Sequence, residues 1–274
     1  MPGPADRAGD EPPLGARHPH VRELRAMLRD RRARDSARRF VLEGHRIVAA
    51  ALDHDVELDE CLVGPEATAD ALEVVDRCRS RGVRIRVLGP GVAARLGDTV
   101  TSQAVLALAP LRRHGVDALG GADLVVVGDR ISDPGNAGTI VRSAAAAGAP
   151  TIALGAGSVD AYNPKVVRAS AGALFGVTVV EGATTVEILE SAASHGLRRL
   201  GAVARGGTPL DDVDLTGPTA LVVGHEAHGL APSLPLDGRV TIPMRETNES
   251  LNVAMAATVV LFEAARQRRE ASTR

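Results

Sequence analysis

Aromatic side chains are scarce in this chain of 274 residues, which has no Trp, one Tyr and three Phe. Proteins that stack RNA bases on exposed rings need several such residues. We therefore do not expect that mode of nucleic-acid binding. Lysine is scarcer still: Lys165 is the only one, so nearly all positive charge lies on arginine. Arginine is the better residue for planar, bidentate contacts with phosphate.

Cysteine and long apolar runs are also lacking. Cys61 and Cys78 are too few for a disulfide framework and form no CxxC pair typical of zinc sites. The sequence shows no run of about 20 apolar residues that would span a membrane. Residues 1–20 lack the apolar core of a signal peptide. These absences predict a cytoplasmic protein that does not associate with a membrane.

The positive charge is unevenly distributed along the chain. The formal net charge is −2, yet residues 21–46 hold nine arginines against four acids. A GC-rich codon usage would explain the choice of arginine, but it would not change the result, which is a local basic patch. We expect this segment to attract nucleic-acid phosphate with an affinity that falls as salt rises.

The order of apolar segments predicts two domains. Residues 1–20 are rich in Pro, Gly and charge and are predicted to be a disordered tail. Residues 21–109 form a small α/β unit, and the glycines and proline of 110–122 indicate a linker. From 123 to 274, continuous apolar strands alternate with helices, which favours a parallel sheet covered by helices on both faces.

Two helices carry informative apolar patterns. Leu72, Val75 and Cys78 recur at helical spacing and are predicted to form a buried face. The last helix, within 251–269, is apolar nearly all round. Such a helix must be buried on more than one side, which suggests a subunit interface.

The first unusual loop is "SDPGNAGTIVR", which follows a buried strand. Asn136 stands where a helix should begin, and Asn is a favoured N-cap, so a purely structural role would explain it. Arg142 is harder to explain, because a guanidinium among small and apolar residues must reach a partner or solvent. In open parallel sheets, ligands bind beyond the carboxyl ends of the strands.

The second loop is "LVVGHEAHGL", again at the end of a buried strand. Gly224 closes the strand and Glu226 follows it. His225 and His228 are three residues apart, whereas the zinc helix motif needs histidines four apart and a further ligand. We therefore predict a loop carboxylate with a positioning role rather than a metal site.

The third loop, "TIPMRETNESLNVAMA", leads into the last helix. Ser250 would serve as the N-cap of that helix, and Asn252 is then placed inside the first turn. A fourth stretch, "GAGSVD" at 155–160, imitates the start of a dinucleotide-binding fingerprint. It lacks the third glycine and a following helix, so NAD binding is not favoured.

Together, the three loops resemble the three motifs of the SpoU (TrmH-type) RNA ribose 2′-O-methyltransferases of the SPOUT class. The resemblance covers about 123–268, with the motifs in order and at sensible spacing. The upstream part resembles the separate RNA-binding domain of that family, which is similar to small ribosomal proteins. His225 departs from the family, which usually has a small polar residue such as Asn there, but Gly224 and Glu226 are intact.

The resemblance implies a fold and a cofactor that composition does not show. It implies an α/β fold, with a parallel sheet and a C-terminal trefoil knot, preceded by a small α/β domain similar to ribosomal proteins. It also implies S-adenosylmethionine, held largely by backbone groups around Gly224, Ile242, Met244 and Leu251. A homodimer through the C-terminal domain is implied as well.

The implied reaction is transfer of a methyl group to a ribose 2′-hydroxyl. No metal is needed, because the donor is already activated. In the family the role of activating the hydroxyl falls to the residue that matches Arg142, while Asn136, Glu226, Ser250 and Asn252 would hold Arg142 and the ribose. A free arginine stays protonated, so we expect Arg142 to bridge phosphate and hydroxyl rather than act as a plain base.

Several alternatives remain open at this point. A site in 23S rRNA is favoured over a tRNA loop, because the upstream domain is complete. A tRNA ribose methyltransferase, or a family member that binds RNA without catalysis, would also fit. An NAD-dependent oxidoreductase using the "GAGS" turn would bind NAD and not S-adenosylmethionine. The sequence does not say which nucleotide is modified, nor whether the modification protects against an antibiotic.

Overall fold

A computed structural model describes residues 11–97, 104–245 and 249–273. Their contacts divide the chain into two compact units. The first comprises the chain up to Leu111 and a short segment, Tyr162–Arg168, and the second contains the rest.

The first unit is built on a four-stranded sheet with the order β1-β4-β2-β3. Strand β4 runs antiparallel to β1 and β2, while β2 and β3 are parallel. Its strands are β1 (Arg39–Glu43), β2 (Glu60–Val63), β3 (Arg84–Val87) and β4 (Val105–Pro110). Its helices are α1 (Pro19–Arg29), α2 (Arg31–Ala37), α3 (His45–Asp53), α4 (Ala69–Ser80) and α5 (Val92–Leu96).

Part of the predicted N-terminal tail belongs to this unit. Leu14 is buried, with 3% of its surface exposed, and forms a β-bridge with Leu88. Helix α1 begins at Pro19. The prediction of disorder is therefore wrong for residues 11–20, because an apolar side chain in this segment completes the core. Residues 1–10 lie outside the described part of the chain.

The basic segment contributes to the core as well as to the surface. Val21, Leu24 and Met27 of α1 are buried in the core. Arg34 of α2 is also buried, and its guanidinium donates to the backbone oxygen of Met27 at 2.6 Å. Seven of the nine arginines are exposed, namely Arg22, Arg29, Arg31, Arg32, Arg38, Arg39 and Arg46.

Helix α4 differs in detail from its predicted burial. Val75 and Cys78 are buried, together with Ala71 and Val74, but Leu72 is 48% exposed. The prediction of a buried Leu72 is therefore wrong. Helical spacing alone is compatible with burial of the residues on either side of Val75 around the helix. Which of them are buried depends on the element that packs against the helix.

The second unit has a seven-stranded sheet in which every pairing is parallel. Its strands are β5 (Leu124–Gly128), β6 (Thr151–Leu154), β7 (Thr178–Val180), β8 (Arg198–Ala202), β9 (Thr208–Pro209), β10 (Thr219–Val223) and β11 (Gly238–Thr241). Its longer helices are α6 (Pro134–Ala147), α8 (Thr185–Ser194) and α9 (Val253–Ser272), whereas the short α7 (Pro164–Ala169) belongs to the first unit except for its last residue. The predicted parallel sheet is confirmed.

The strand order is β7-β6-β5-β10-β8-β11-β9. From β5 the chain adds strands on one side, β6 and then β7, before it continues on the other side with β8. Strands β5 and β10 are therefore neighbours although about 95 residues separate them, and Val223 pairs with Gly128. Such a switch point opens a crevice at the carboxyl ends of the strands.

The predicted linker is largely part of the second unit. Val116–Leu119 form a turn of 3₁₀ helix, and Leu119 is fully buried in the core of this unit. His114 forms a bridge with Val180. The predicted linker, 110–122, is therefore not a free linker from Arg112 onward. These residues complete the edge of the sheet and its core.

Helix α9 packs against α6, and the Ser143 and Thr258 hydroxyls are 2.7 Å apart between them. Its buried side is made largely of small residues: Ala254, Ala257, Val260, Leu261, Ala264 and Ala265. Met255, Val259 and Phe262 are about half exposed, at 51%, 42% and 47%. Within the described residues of a single chain, α9 is therefore buried on one side, not on more than one side as its sequence predicts.

Among the helices of the described residues, none combines the length and the apolar composition that a membrane span requires.

Candidate active site

The site lies where β5 and β10 end side by side. The loop after β5 leads into α6, and the loop after β10 carries Glu226. Because Val223 and Gly128 pair at the ends of these strands, the two loops emerge together from the sheet. The carboxyl ends of parallel strands are the usual place for ligands in such sheets.

Glu226 is the centre of a hydrogen-bond network between these loops. One carboxylate oxygen accepts from the Asp133 backbone N–H at 3.2 Å and from Asn136 Nδ2 at 3.1 Å. The other accepts from the Ser132 hydroxyl at 3.1 Å and from the Ser132 N–H at 3.4 Å. A loop carboxylate with a positioning role, as predicted, matches this geometry.

Asn136 extends the network to the third loop. Its side-chain oxygen accepts from Asn252 Nδ2 at 3.0 Å. The chain Asn252–Asn136–Glu226 therefore links all three sequence motifs through side chains. These residues are 116 and 90 positions apart along the chain. A side-chain amide that donates one hydrogen bond and accepts another is fixed in one orientation, because rotating the amide would break both bonds.

The helix caps differ from those predicted. Asp133, not Asn136, is the N-cap of α6 and accepts from the Asn136 N–H at 2.8 Å. Asn252, not Ser250, is the N-cap of α9 and accepts from Ala254 N and Met255 N. The capping explanation is therefore wrong for Asn136 and Ser250. Each is left with a side chain that helix formation does not require.

These contacts change the acidity of Glu226. Partial burial alone would raise the pKa of its carboxyl. The hydrogen bonds from Asn136, from its own N–H, from Asp133 and from Ser132 outweigh that effect and lower the pKa from 4.5 to about 2. Glu226 is therefore an acceptor at neutral pH and holds no proton to donate.

Glu226→Gln is expected to lower the free energy of unfolding at pH 7 by about 1 kcal/mol, since solvent screens this exposed group. A lowered pKa stabilises the folded state above the unfolded value of 4.5 and loses that effect as the pH falls towards 2. The difference between the two proteins should therefore disappear over that interval in urea titrations. Glu190→Gln, on the exposed side of α8, is the matched control. A difference that persists at pH 2 would contradict this account.

Arg142 lies on α6, six residues after Asn136, and is exposed. Within the described chain it forms no hydrogen bond or ion pair, so the expected contacts from Asn136, Glu226, Ser250 and Asn252 are not present. An exposed guanidinium without a polar partner is available to an incoming anionic group.

A cavity of about 270 Å³ lies beside the network. Its lining includes all four residues predicted to hold the cofactor, and also Glu226 and Ser250. The predicted cofactor residues are Gly224, Ile242, Met244 and Leu251. This volume is close to the lower end of the range for small-molecule sites, roughly 300 Å³, and such sites are mostly apolar with a few polar groups.

The wall of this cavity depends on a close approach of two backbone segments. A Cβ on Gly224 would lie 2.4 Å from the carbonyl carbon of Gly229 and 2.6 Å from Leu230 N. Real Cβ atoms do not approach backbone so closely, so only glycine fits. Gly224, His225, Glu226, Ala227 and Gly229 of the 224–229 turn line the cavity.

Sequence reasoning missed two parts of the site. Ser132 was not recognised as a partner of Glu226, although it directly precedes the helix cap. The segment Ala202–Ala204 lines the cavity and was noted only as a strand. Its position at the carboxyl end of β8 is the signal that would have identified it.

Comparison with known proteins identifies the family of the chain. Residues 123–262 match the model of the SpoU rRNA Methylase family, and 18–107 match an MRM3-like substrate binding domain. The 23S rRNA (uridine(2479)-2′-O)-methyltransferase of Streptomyces viridochromogenes is 30% identical over 267 residues, covering 93% of this chain and 92% of the relative. The 23S rRNA (guanosine(2553)-2′-O)-methyltransferase RlmP of Bacillus subtilis is 29% identical, covering 86% and 92%.

Solved structures extend the similarity to the fold. The SpoU methyltransferase AviRb from Streptomyces viridochromogenes, in complex with AdoMet, superposes with a TM-score of 0.82 at 30% identity, covering 92% of this chain and 99% of that one. An AdoMet-bound rRNA methyltransferase from Sinorhizobium meliloti gives 0.80 at 27% identity, covering 90% and 94%. The predicted α/β fold of the knotted SPOUT class is confirmed. The chain belongs to the SpoU rRNA methylase family, as its three motifs predict.

Proposed function

We propose that this protein transfers a methyl group from S-adenosylmethionine to a ribose 2′-hydroxyl of 23S rRNA. The observation that carries the proposal is the chain Asn252–Asn136–Glu226, which joins three distant motifs beside a cavity suited to the cofactor. Relatives that align over nearly the whole chain are named 23S rRNA 2′-O-methyltransferases. Family membership makes the protein an RNA methyltransferase that uses S-adenosylmethionine.

We assign the cofactor to the cavity described above. Gly224, Ile242, Met244 and Leu251, which line the cavity, would hold it. When bound, S-adenosylmethionine supplies a methyl group on a positively charged sulfur that is already activated for transfer. The apolar residues of the wall exclude water from the neighbourhood of that charge.

The chain's own chemistry concerns the ribose hydroxyl, which is a poor nucleophile at neutral pH. We assign its activation to Arg142, whose guanidinium would bind the RNA phosphate and stabilise negative charge developing on the 2′-oxygen. The proton of the hydroxyl would pass to the phosphate or to water. Asn136, Glu226, Ser250 and Asn252 would position the ribose. In the absence of RNA Arg142 has no partner among the described residues, so we expect it to be held by the substrate itself.

The RNA class is assigned from the first unit and the relatives. Residues 18–107 match a substrate-binding domain, and relatives with the same two-part organisation carry 23S rRNA in their names. The exposed arginines of α1 and α2 would contact phosphates. Ribosomal RNA is made and modified in the cytoplasm of bacteria, so we place the protein there.

The test is methyl transfer from labelled S-adenosylmethionine to 23S rRNA, 16S rRNA and bulk tRNA in parallel. Nuclease digestion then identifies the modified nucleoside. Label in a 2′-O-methyl nucleoside of 23S rRNA is the expected result. Label in tRNA would replace the proposed substrate. Binding of cofactor and RNA without transfer to any free RNA or ribosomal subunit would support a family member that does not catalyse.

We also propose that two copies associate through α9. Met255, Val259 and Phe262 recur at spacings of four and three and form an apolar face opposite the side packed on α6. Half-exposed large apolar side chains on one helix face mark an interaction surface. Leu251, 40% exposed and on the cavity wall, lies just before this face, so a second copy would sit close to the site.

The double variant Val259→Glu, Phe262→Glu is expected to be monomeric where the wild type is dimeric. Two carboxylates cannot be desolvated in an apolar interface without partners. Light scattering coupled to gel filtration measures the mass directly. Leu72→Glu, at a similarly exposed apolar residue of α4, is the matched control and should leave the mass unchanged. A wild type that is monomeric at micromolar concentration would refute the interface.

A further inference from the structure

The loop that carries Glu226 forms a turn in which His225, the residue that departs from the family pattern, accepts two hydrogen bonds. His225 Nδ1 accepts from the Ala227 N–H at 3.0 Å. The His225 backbone oxygen accepts from the Gly229 N–H at 2.8 Å, which closes the turn. The His225 and His228 rings stack, with centroids 4.9 Å apart and planes at 29°. His225 also lines the cavity.

The bond to Ala227 requires one protonation state of the imidazole. Nδ1 can accept only while it carries no proton, so the ring must be neutral with its hydrogen on Nε2. Protonation would turn both nitrogens into donors and break the bond. The Ala227 N–H would lose its acceptor at the tip of the turn, one residue from Glu226.

We propose that neutral His225 is a positioning residue for methyl transfer, acting through Ala227 on Glu226, and that its protonation slows the reaction in mildly acidic solution. The asparagine that is usual in the family can accept the same N–H two residues ahead through its side-chain oxygen, and it does not titrate. Histidine at this position therefore preserves the hydrogen bond to the Ala227 N–H and makes that bond depend on pH. This inference rests on the function proposed above.

Several charged side chains lie on the loops and elements around this turn. Among the described residues they include Glu226, His228, Asp129, Arg130, Asp133, Arg142, Arg205, Arg239, Arg245 and Glu249. Carboxylates and guanidinium groups ordinarily keep their charge between pH 6 and 8, and Glu226, with a pKa of about 2, certainly does. His228, stacked on His225, is thus the one competing group in this set.

The experiment compares the single-turnover rate at pH 6 with that at pH 8 in the full-length protein. For the wild type we expect a fall of at most about fivefold, the net effect of one hydrogen bond, because protonation of Nδ1 removes the acceptor of the Ala227 N–H. In His225→Asn this fall should vanish, whereas His228→Asn, the matched control in the same turn, should keep it. His225→Ala lacks any acceptor and should be about fivefold slower than His225→Asn at pH 8, about the net effect of one hydrogen bond. Equal pH ratios in wild type and His225→Asn would overturn the inference.

A second readout does not depend on catalysis. Nitrogen-15 NMR of the ligand-free protein, assigned by comparison with His225→Asn, reports which ring nitrogen carries the proton. At pH 8 we expect Nε2–H, and an Nδ1–H tautomer would overturn the inference. Titration with S-adenosylhomocysteine should give weaker binding at pH 6 than at pH 8 in the wild type and in His228→Asn, but not in His225→Asn. If the wild type modifies no RNA, the proposed function fails while these two measurements still decide the role of His225.

Discussion

Arg142→Ala is expected to lower the rate of methyl transfer by at least about 10²-fold while leaving the fold intact. Removing a group that stabilises charge in the transition state typically costs about 10²–10³ in rate. Arg142 is exposed on α6 and has no polar partner among the described residues, so its loss breaks no hydrogen bond or ion pair within them. Alanine is also the best helix former. Stability should therefore change by less than about 0.5 kcal/mol.

Two further variants sharpen this result. Arg269→Ala, at an exposed arginine in the last turn of α9, removes the same charge elsewhere and should keep the rate. Arg142→Lys keeps the charge but loses the planar fork, so it should remain strongly impaired. Near-full turnover in Arg142→Lys would argue against bidentate contact. Full turnover in Arg142→Ala would remove this residue from the mechanism.

Gly224→Ala is expected to weaken binding of S-adenosylmethionine by at least about tenfold and to lower stability by about 1–3 kcal/mol, the usual cost of overpacking. The new Cβ would meet the Gly229 carbonyl carbon at 2.4 Å and its oxygen at 2.6 Å. These atoms are backbone and belong to the turn that carries Glu226. To make room the turn must move away, and with it the wall of the cavity and the contacts of Glu226.

Gly217→Ala is the matched control, because a Cβ there meets nothing within 4 Å. Calorimetric titration measures the affinity, and thermal unfolding without ligand measures the stability. A variant that binds the cofactor as the wild type does would show that the close approach at Gly224 does not shape the cofactor site. A change in stability alone, with unchanged affinity, would place its effect in folding rather than in binding.

Local sequence patterns predicted most of the architecture. They were wrong where two residues or segments suit burial equally well and packing against a distant element decides which one is buried. Leu72 has the same helical spacing as its buried neighbours, yet it is 48% exposed. Leu14 lies in a segment rich in Pro, Gly and charge, yet it is buried against β3. In both cases the burial depends on a partner distant in sequence, about which a local window holds no information.

The caps of α6 and α9 illustrate the same limit at the site. Asp133 and Asn136 both stand near the start of α6, and Ser250 and Asn252 near the start of α9. Residue preference alone does not distinguish them, because all are good N-caps. The backbone decides: α6 begins at Pro134, which leaves Asp133 as the cap and frees Asn136 to bridge two loops.

The family could be predicted from the amino-acid sequence, because three short motifs in a set order rarely occur together by chance. The parallel sheet could be predicted from apolar strands that alternate with helices. How the proposed site residues meet became clear only from the fold. Glu226 reaches Asn136 because β10 inserts beside β5, and strand order depends on packing across the whole sheet. The need for glycine at 224 likewise comes from a second backbone segment folded against it, which no pattern of neighbouring residues reveals.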